Sequence, residues 1–228
     1  MRFAVSKVQG QVSGSASRRL SRGRRAVCGL ALAVFGLAGL AATAEAQTLA
    51  SLPADVGARV QGDAKPIAAW VTFCQSYAAE CAVDRTEPAR ISLTPATWAT
   101  IVSVNRRVNK AVEPMTDQDH LHVADRWDLA EDGIGDCEDF QLLKRHLLVQ
   151  AGLPRRAMRM TVVIDEKGEG HAVLTLITDR GDLVLDNKTS AILPWHRTGY
   201  VFIKRESQDA VAWVSLGGVT SPVTTANR

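Results

Sequence analysis

The sequence predicts an α+β domain in which two helices precede an antiparallel β-sheet. Two stretches with apolar residues at mostly helical spacing lie between residues 94 and 151. After Pro154 the pattern changes to short β-branched runs separated by turns that contain Gly and Asp. Helices followed by strands, rather than alternating with them, are typical of α+β domains. The chain has 228 residues, 46% of them apolar and 22% charged, which is enough for one such domain.

The first 46 residues have the layout of a secretory signal peptide. Arg18–Arg25 form a basic region, an uncharged run rich in Ala, Leu and Gly follows from Ala26 to about Ala42, and Ala44-Glu45-Ala46 is a small-residue cleavage site. An uncleaved membrane anchor is the alternative, because the run approaches the minimum length that spans a bilayer. The many Gly and Ala residues favour cleavage, so we expect an exported protein whose mature part begins at Gln47.

The signal peptide is basic, whereas the rest of the chain is slightly acidic. Seven of the 27 Lys and Arg residues lie in the signal peptide, against one of the 24 Asp and Glu residues, so residues 47–228 carry a net charge of −3. Since no other basic stretch is interleaved with aromatic residues, the sequence does not support nucleic-acid binding. Residues 47–66 are expected to form a loosely structured lead-in segment, and residues 67–228 the domain itself.

Three cysteines remain after the signal peptide. In an exported protein, Cys74 and Cys81 can pair across a short loop. Cys137 is then a candidate reactive thiol. A buried core cysteine is the commoner fate of a lone cysteine, so the neighbouring residues must decide between the two.

The first predicted helix and the loop after it have clear boundaries. Thr94 as N-cap and Pro95 at the first helical position begin the helix, which extends to about Val112. Residues 113–135 are polar, and a loop of this length is often functional. Trp127 is expected to line the active-site cleft, with anchoring of the loop as the alternative. The acidic residues of this loop are Asp117, Asp119, Asp125, Asp128, Glu131 and Asp132.

The second helix and the sheet follow. The helix is predicted from about Cys137 to Ala151, and Gly152-Leu153-Pro154 ends it. Gly168-Glu169-Gly170 and Asp179–Asp182 are turns of an antiparallel meander. Its strands are predicted at Met158–Ile164, His171–Thr178, Asp182–Leu185 and Tyr200–Lys204.

The start of the second helix is a useful place for a reactive cysteine. Unpaired backbone N–H groups and the helix dipole favour a thiolate at Cys137, and the thiolate is the nucleophile. Three neighbouring acids oppose this by repulsion: Asp136, Glu138 and Asp139. A bound cation or a nearby imidazolium is needed to neutralise them.

A histidine and an aspartate are predicted to meet across a hairpin. His171 begins one strand and Asp186 ends the next, so pairing through the Asp179–Asp182 turn brings them within side-chain reach. A nucleophilic cysteine needs a base, and the base needs an orienting partner. The alternatives are a surface histidine at a strand edge and an ordinary turn residue before Asn187.

Five segments of the sequence carry a resemblance to a known family. They are Val104–Asn109, Asp136-Cys137-Glu138-Asp139-Phe140, Gly152-Leu153-Pro154, Gly170-His171-Ala172-Val173-Leu174 and Val184-Leu185-Asp186-Asn187. Together they resemble the bacterial transglutaminase-like cysteine peptidases, which are periplasmic and include the LapG-type adhesin proteases. The resemblance implies a papain-like or transglutaminase-like fold, with N-terminal helices and the cysteine at a helix start packed on an antiparallel sheet.

The resemblance also implies roles for individual residues. Cys137 is the nucleophile, His171 the general base and acid, and Asp186 the orienting carboxylate. LapG-type members bind calcium through acids around the cysteine, a position that Asp136, Glu138 and Asp139 match. The alternative is that these acids only charge a helix N-terminus, which itself stabilises the helix.

Zinc is not expected, because His120 and His122 have no third ligand at a characteristic spacing.

The sequence therefore predicts an exported cysteine peptidase with a Cys-His-Asp triad and a protein substrate. The family resemblance implies a large surface adhesin as one such substrate, and control by an inner-membrane receptor that senses cyclic di-GMP. A transglutaminase-like acyl transferase or amidase uses the same triad, since access of water to the acyl-enzyme separates transfer from hydrolysis. A catalytically silent, calcium-dependent periplasmic binding module is the third interpretation.

Overall fold

The computed structural model describes residues 57–218. The predicted signal peptide, its cleavage site and the first ten residues of the predicted lead-in segment lie outside the described residues. Within residues 57–218, no helix is long and apolar enough to cross a membrane.

The described part of the chain is a mixture of short and long elements. Two 3-10 turns, Arg155–Ala157 and Trp195–Arg197, connect some of them. The helices are α1 (Ala68–Ser76), α2 (Ala78–Cys81), α3 (Pro95–Ala111), α4 (Asp117–His120) and α5 (Cys137–Gln150). The strands are β1 (Gly62–Ala64), β2 (Glu113–Pro114), β3 (Ile134–Gly135), β4 (Met158–Ile164), β5 (Gly170–Thr178), β6 (Gly181–Leu185), β7 (Leu193–Pro194), β8 (Val201–Glu206) and β9 (Trp213–Ser215).

Seven strands form one antiparallel sheet in the order β1-β9-β8-β4-β5-β6-β7, which confirms the predicted α+β class. Alternate residues of β4 and β5, such as Met160 and Leu174, join the main core with the helices. Val163 and Val173 belong to a second apolar cluster. Because β4 and β5 are buried along almost their whole length, they form a rigid platform for α5.

The long helices begin and end close to where the sequence predicts. Thr94 Oγ1 accepts a hydrogen bond from the Thr97 N–H at 3.1 Å and caps α3. Helix α5 begins at Cys137 and ends at Gln150, one residue before the predicted end. Gly152 then takes the left-handed conformation, with φ +89°, and lets the chain turn towards β4.

Several elements have no clear signal in the sequence. Helix α4 and the two-residue parallel pair β2–β3 lie in the segment predicted to be a loop, and β1 lies in the predicted lead-in segment, where it pairs with β9. Pairs this short depend on contacts from distant parts of the chain rather than on local periodicity. The β2–β3 pair is relevant to the site because Gly135 immediately precedes Asp136, the N-cap residue of α5.

A disulfide joins Cys74 of α1 to Cys81 of α2, as predicted, with their Cα atoms 5.6 Å apart. It joins α2 to α1. In α2, Glu80 forms an ion pair with Arg155, and it forms a second one with His146 of α5 when that histidine is protonated.

A buried carboxylate on β8 attaches α5 to the sheet. Glu206 accepts hydrogen bonds from Arg145 Nη1 at 2.5 Å, Trp70 Nε1 at 2.6 Å and the Met160 N–H at 3.0 Å. Burial opposes ionisation, but the charges of Arg145 and Arg159 and these hydrogen bonds hold the pKa of Glu206 below its usual range. The pairs of this carboxylate therefore anchor the middle of α5 and help to position its N-terminus.

Candidate active site

The first turn of α5 brings Cys137 onto β5. Cys137 is 0% exposed, and its Sγ accepts a hydrogen bond from the Ala172 N–H at 3.4 Å and donates one to Glu138 Oε2 at 3.1 Å. Gly135 allows the close approach of the Asp139 side chain to the segment before α5, because a Cβ at position 135 would lie 2.8 Å from the Cβ of Asp139. The thiol is therefore held against the residue that directly follows His171.

His171 and Asp186 are hydrogen-bonded, as the hairpin prediction requires. His171 Nε2 lies 2.9 Å from Asp186 Oδ1, and the two residues are 2% and 3% exposed. The last pair of the β5–β6 ladder is Leu174 with Leu185, so Asp186 lies one residue past the paired strand and reaches His171 diagonally. Because Nε2 is engaged with Asp186, Nδ1 is the ring nitrogen that remains for exchange of a proton with a thiol.

The second oxygen of Asp186 is held by a tyrosine. Tyr200 Oη donates to Asp186 Oδ2 at 2.7 Å, and the Tyr200 ring meets the His171 ring edge to face at 5.8 Å between centroids. Burial opposes ionisation of Asp186, but its hydrogen bonds to His171, Tyr200 and the Lys188 N–H lower its pKa. Asp186 is therefore a carboxylate with a fixed orientation, the form that orients a histidine and stabilises its imidazolium.

Four acids cluster beside the thiol. Ligand atoms of Asp117, Asp125 and Glu138 lie within 4.8 Å of one another, as do those of Asp136, Cys137 and Glu138. Burial raises the pKa of Asp136 to about 7, with a contribution from the charges of Asp117 and Asp125. Burial, the Cys137 thiolate and Asp136 raise the pKa of Glu138 well above its usual range. This much buried negative charge is unfavourable unless a cation or protons compensate it.

Buried oxygens of this cluster fit a cation. Asp125 Oδ1, Asp136 Oδ1 and Glu138 Oε1 are buried without a hydrogen-bond partner. Orphaned carboxylate oxygens are uncommon in folded proteins, and hard cations such as Ca²⁺ prefer oxygen ligands. The donor set of four carboxylates therefore suits calcium. Asp117 and Asp125 were predicted only as acids of the long loop, and no spacing in the sequence connects them to Glu138.

Asp139 is placed differently from the other two predicted ligands. Its Oδ1 accepts the Asp128 N–H at 2.8 Å and its Oδ2 accepts the Asp136 N–H at 3.2 Å. Burial raises the pKa of Asp139 to about 9. The structure thus brings Asp136 and Glu138 into the acidic cluster, while Asp139 caps α5 and ties the long loop to it. Its role as a metal ligand stays a prediction.

Trp127 lines a cleft of about 550 Å³ together with Phe73, Tyr77 and Asp125, and Cys137, His171 and Asp186 are not among the residues that line it. The expectation that Trp127 lines the active-site cleft therefore stays a prediction. The indole is also packed edge to face against Trp213, with 6.3 Å between ring centroids, and the residue is 2% exposed.

The two histidines of the loop that were considered as zinc ligands contact an aspartate and a backbone carbonyl. His120 Nε2 lies 3.0 Å from Asp132 Oδ2, and His122 Nδ1 lies 3.3 Å from the Gln118 carbonyl oxygen. Within the part of the chain that the structure describes, the two groups of side chains that could hold a metal include neither histidine.

Residues 60–221 match the family described as bacterial transglutaminase-like cysteine proteinases. The chain belongs to this family. The match confirms the predicted family and the cysteine peptidase class, and with the observed helices and antiparallel sheet it confirms the predicted fold. Comparison with curated proteins found no match.

Two similar solved structures are of LapG from Legionella pneumophila. Calcium-bound LapG is 25% identical, with a TM-score of 0.45 over 56% of this chain and 74% of that one. EGTA-treated LapG is 27% identical, with a TM-score of 0.42 over 48% of this chain and 62% of that one.

In this transglutaminase-like peptidase, a lysine is buried next to Asp186. Lys144 of α5 is 0% exposed, and its Nζ donates to the Asp186 carbonyl oxygen at 2.9 Å and to Gln141 Oε1 at 3.1 Å. Burial lowers the pKa of Lys144 to about 7, while the charge of Asp186 acts in the opposite direction. A buried ammonium group without a carboxylate in contact destabilises the folded state.

We expect Lys144→Met to raise the free energy of unfolding at pH 7 by about 1–3 kcal/mol, because it removes this buried charge. An unfolded lysine keeps its proton up to a pH of about 10.4, whereas folded Lys144 releases it above about 7, so the wild-type protein gains stability as the pH rises. The advantage of the variant should therefore shrink by about 1.4 kcal/mol per pH unit above 7.

Urea unfolding at pH 7.0 and pH 8.5 measures both effects, and Lys110→Met, at an exposed position of α3, is the control. A Lys144→Met variant that is less stable at pH 7, or a stability difference that does not change with pH, contradicts the assignment.

Proposed function

We propose that the chain is an exported cysteine peptidase that hydrolyses peptide bonds of a protein substrate through a triad of Cys137, His171 and Asp186. The observation that carries the proposal is the pair of contacts on β5: His171 Nε2 on Asp186 Oδ1 at 2.9 Å, and the next residue, Ala172, on Cys137 Sγ at 3.4 Å. A nucleophile at a helix start, a base and an orienting carboxylate are thereby supplied from three elements that share one buried junction.

The reaction follows from the positions of these groups. His171 Nδ1 takes the proton of the Cys137 thiol, and Sγ attacks the substrate carbonyl carbon. Backbone N–H groups of the first turn of α5, including that of Cys137, stabilise the oxyanion. The imidazolium, stabilised by Asp186, then protonates the leaving amine. A water molecule, deprotonated by His171, hydrolyses the thioester and releases the acid.

The acidic cluster supports calcium as a second component. Asp136 and Glu138, with Asp117 and Asp125, supply carboxylate oxygens that would hold the ion, and Asp139 orders the backbone beside them. A bound calcium ion supplies positive charge next to the thiol and so offsets the repulsion of these acids. The buried oxygens of Asp125, Asp136 and Glu138 that lack hydrogen-bond partners support this site.

The cellular setting is proposed from the sequence. The signal-peptide pattern of residues 1–46 supports export, and the family resemblance supports the periplasm. The same resemblance supports a large surface adhesin as substrate and an inner-membrane cyclic di-GMP receptor as regulator, in the control of biofilm formation.

The triad is tested with the purified protein and surface proteins extracted from its own cells. Cys137→Ala should abolish cleavage. Asp186→Asn should leave the thermal unfolding midpoint within a few degrees of wild type but lower kcat by about 10⁴-fold, because a neutral amide does not stabilise the imidazolium or its tautomer. Asp63→Asn, at an exposed position of β1, is the matched control. Cleavage by Cys137→Ala, or unchanged kcat in Asp186→Asn, removes that residue from the mechanism.

Incorporation of a labelled amine in place of hydrolysis would favour acyl transfer.

Calcium dependence is tested by chelation. EGTA should lower both the cleavage rate and the thermal unfolding midpoint, and added calcium should restore them. Magnesium should substitute poorly, because it requires shorter and more regular coordination. Glu138→Ala should remove the response to calcium. Glu131→Gln, which changes an exposed acid of the segment 113–135, should retain it. If EGTA changes neither quantity, the acidic cluster is not a calcium site.

A further inference from the structure

The backbone of the loop that carries Asp186 is held by side chains from two helices. Asn109 of α3 donates through Nδ2 to the Asp186 carbonyl oxygen at 2.8 Å and to the Thr189 carbonyl oxygen at 3.1 Å. Lys144 of α5 donates through Nζ to the same Asp186 carbonyl oxygen at 2.9 Å. Asn105, one turn before Asn109, donates to the Ser190 carbonyl oxygen at 3.2 Å.

We propose that Asn109 and Lys144 are positioning residues, which hold the backbone of Asp186 and thereby the carboxylate that orients His171. The inference rests on the proposed triad. It assigns a purpose to the Val104–Asn109 segment of α3, whose sequence resembles the family but which contributes no member of the triad. The two side chains meet at one carbonyl oxygen from different helices, so together they fix its position more firmly than either helix does alone.

The burial of Lys144 supports a functional origin for this contact. Its hydrogen-bond partners among the described residues are the Asp186 carbonyl oxygen and Gln141 Oε1, so no carboxylate oxygen within contact distance compensates its charge. An apolar side chain of similar size would be easier to accommodate at a site that is 0% exposed. A buried lysine without a paired charge is better explained by the atom that it holds than by stability.

The placement of Lys144 on α5 links the nucleophile to the aspartate. Lys144 follows Cys137 by about two helical turns, so the two residues lie on the same side of α5. The helix that sets the position of the thiol therefore also contacts the loop of Asp186, which in turn contacts His171. A shift of α5 moves both ends of the triad together, and their relative geometry is preserved.

A second contact prevents Asp186 from turning about the fixed backbone. Tyr200 Oη and the Lys188 N–H hold the two carboxylate oxygens, at 2.7 and 3.0 Å. We call the hydrogen bonds of Asn109 and Lys144 to the Asp186 carbonyl oxygen the clamp. With the carboxylate bonds in place, loss of the clamp displaces the whole residue rather than only rotating its side chain. Displacements of about 1 Å in a catalytic group can lower rates by up to about 10²-fold. The clamp does not touch the substrate, so its loss should act on kcat and leave KM nearly unchanged.

The test uses Asn109→Ala and Lys144→Met in the purified protein, with a surface protein whose cleavage requires Cys137 as substrate. Each variant should lower kcat by about 10- to 100-fold, with KM changed less than about twofold and the thermal unfolding midpoint not reduced for Lys144→Met. Lys110→Ala, next to Asn109 but exposed, should behave as wild type. Asn109 is half-buried, so its alanine variant keeps the test valid if Lys144→Met does not fold.

A double-mutant comparison separates positioning from general destabilisation. If the clamp acts through Asp186, Asn109→Ala should cause no further loss in an Asp186→Asn background, because that carboxylate no longer acts. Wild-type kcat in both single variants, or a full additional loss in the Asp186→Asn background, overturns the proposal. Failure of the clamp alone leaves Cys137→Ala inactive and Asp186→Asn impaired, whereas failure of the proposed function shows as cleavage that survives Cys137→Ala.

Discussion

The contact between the first turn of α5 and β5 is the constraint on which the rest of the site depends. It brings Cys137 Sγ to the backbone of Ala172, the neighbour of His171 on the strand. Gly135 lets the Asp139 side chain cap the same turn of α5, since a Cβ at position 135 would collide with Asp139. The Arg145–Glu206 pair anchors the middle of the same helix on the sheet. The position of the thiol is thus a result of helix packing, and the histidine and aspartate are brought to it by the register of a hairpin.

The candidate site contains several buried charged groups that destabilise the folded state. Four acids lie together with three buried oxygens that lack hydrogen-bond partners, and a lysine is buried without a carboxylate in contact. Apolar packing of α5 on β4 and β5, and of α3 on α5, compensates for this. Proteins depart from the ordinary rules of burial mostly at functional sites, and here the departures surround Cys137, His171 and Asp186. This concentration of unfavourable groups supports the proposed site.

The parts of the fold and site that the sequence predicts are those with local signals. Thr94 and Pro95 mark the start of α3, Gly152 marks the end of α5, and the Asp179–Asp182 turn marks the hairpin that joins His171 to Asp186. These features depend on residues close in sequence. The resemblance to the peptidase family added the roles of the triad, which spacing alone does not supply.

The parts that the sequence does not predict depend on contacts between distant segments. Asp117 and Asp125 reach Glu138 only because the long loop folds back over the start of α5, and Tyr200 reaches Asp186 only because β8 lies in the same sheet as β6. Asn109 and Lys144 meet at one carbonyl oxygen from two helices. No periodicity or motif in the sequence predicts these contacts, so the supporting residues of the site can be identified only from the folded structure.

The proposed function depends on transfer of the Cys137 thiol proton to His171, which is oriented by Asp186 and then forms a thiolate–imidazolium pair with the cysteine. The pH dependence of Cys137 alkylation by iodoacetamide, measured in calcium-containing buffer, tests it most directly. A thiolate–imidazolium pair predicts rapid alkylation that persists well below the ordinary thiol pKa of about 8.5, and loss of that low-pH reactivity in His171→Ala. A single titration near pH 8.5 that is the same in the wild-type protein and in His171→Ala would contradict the claim.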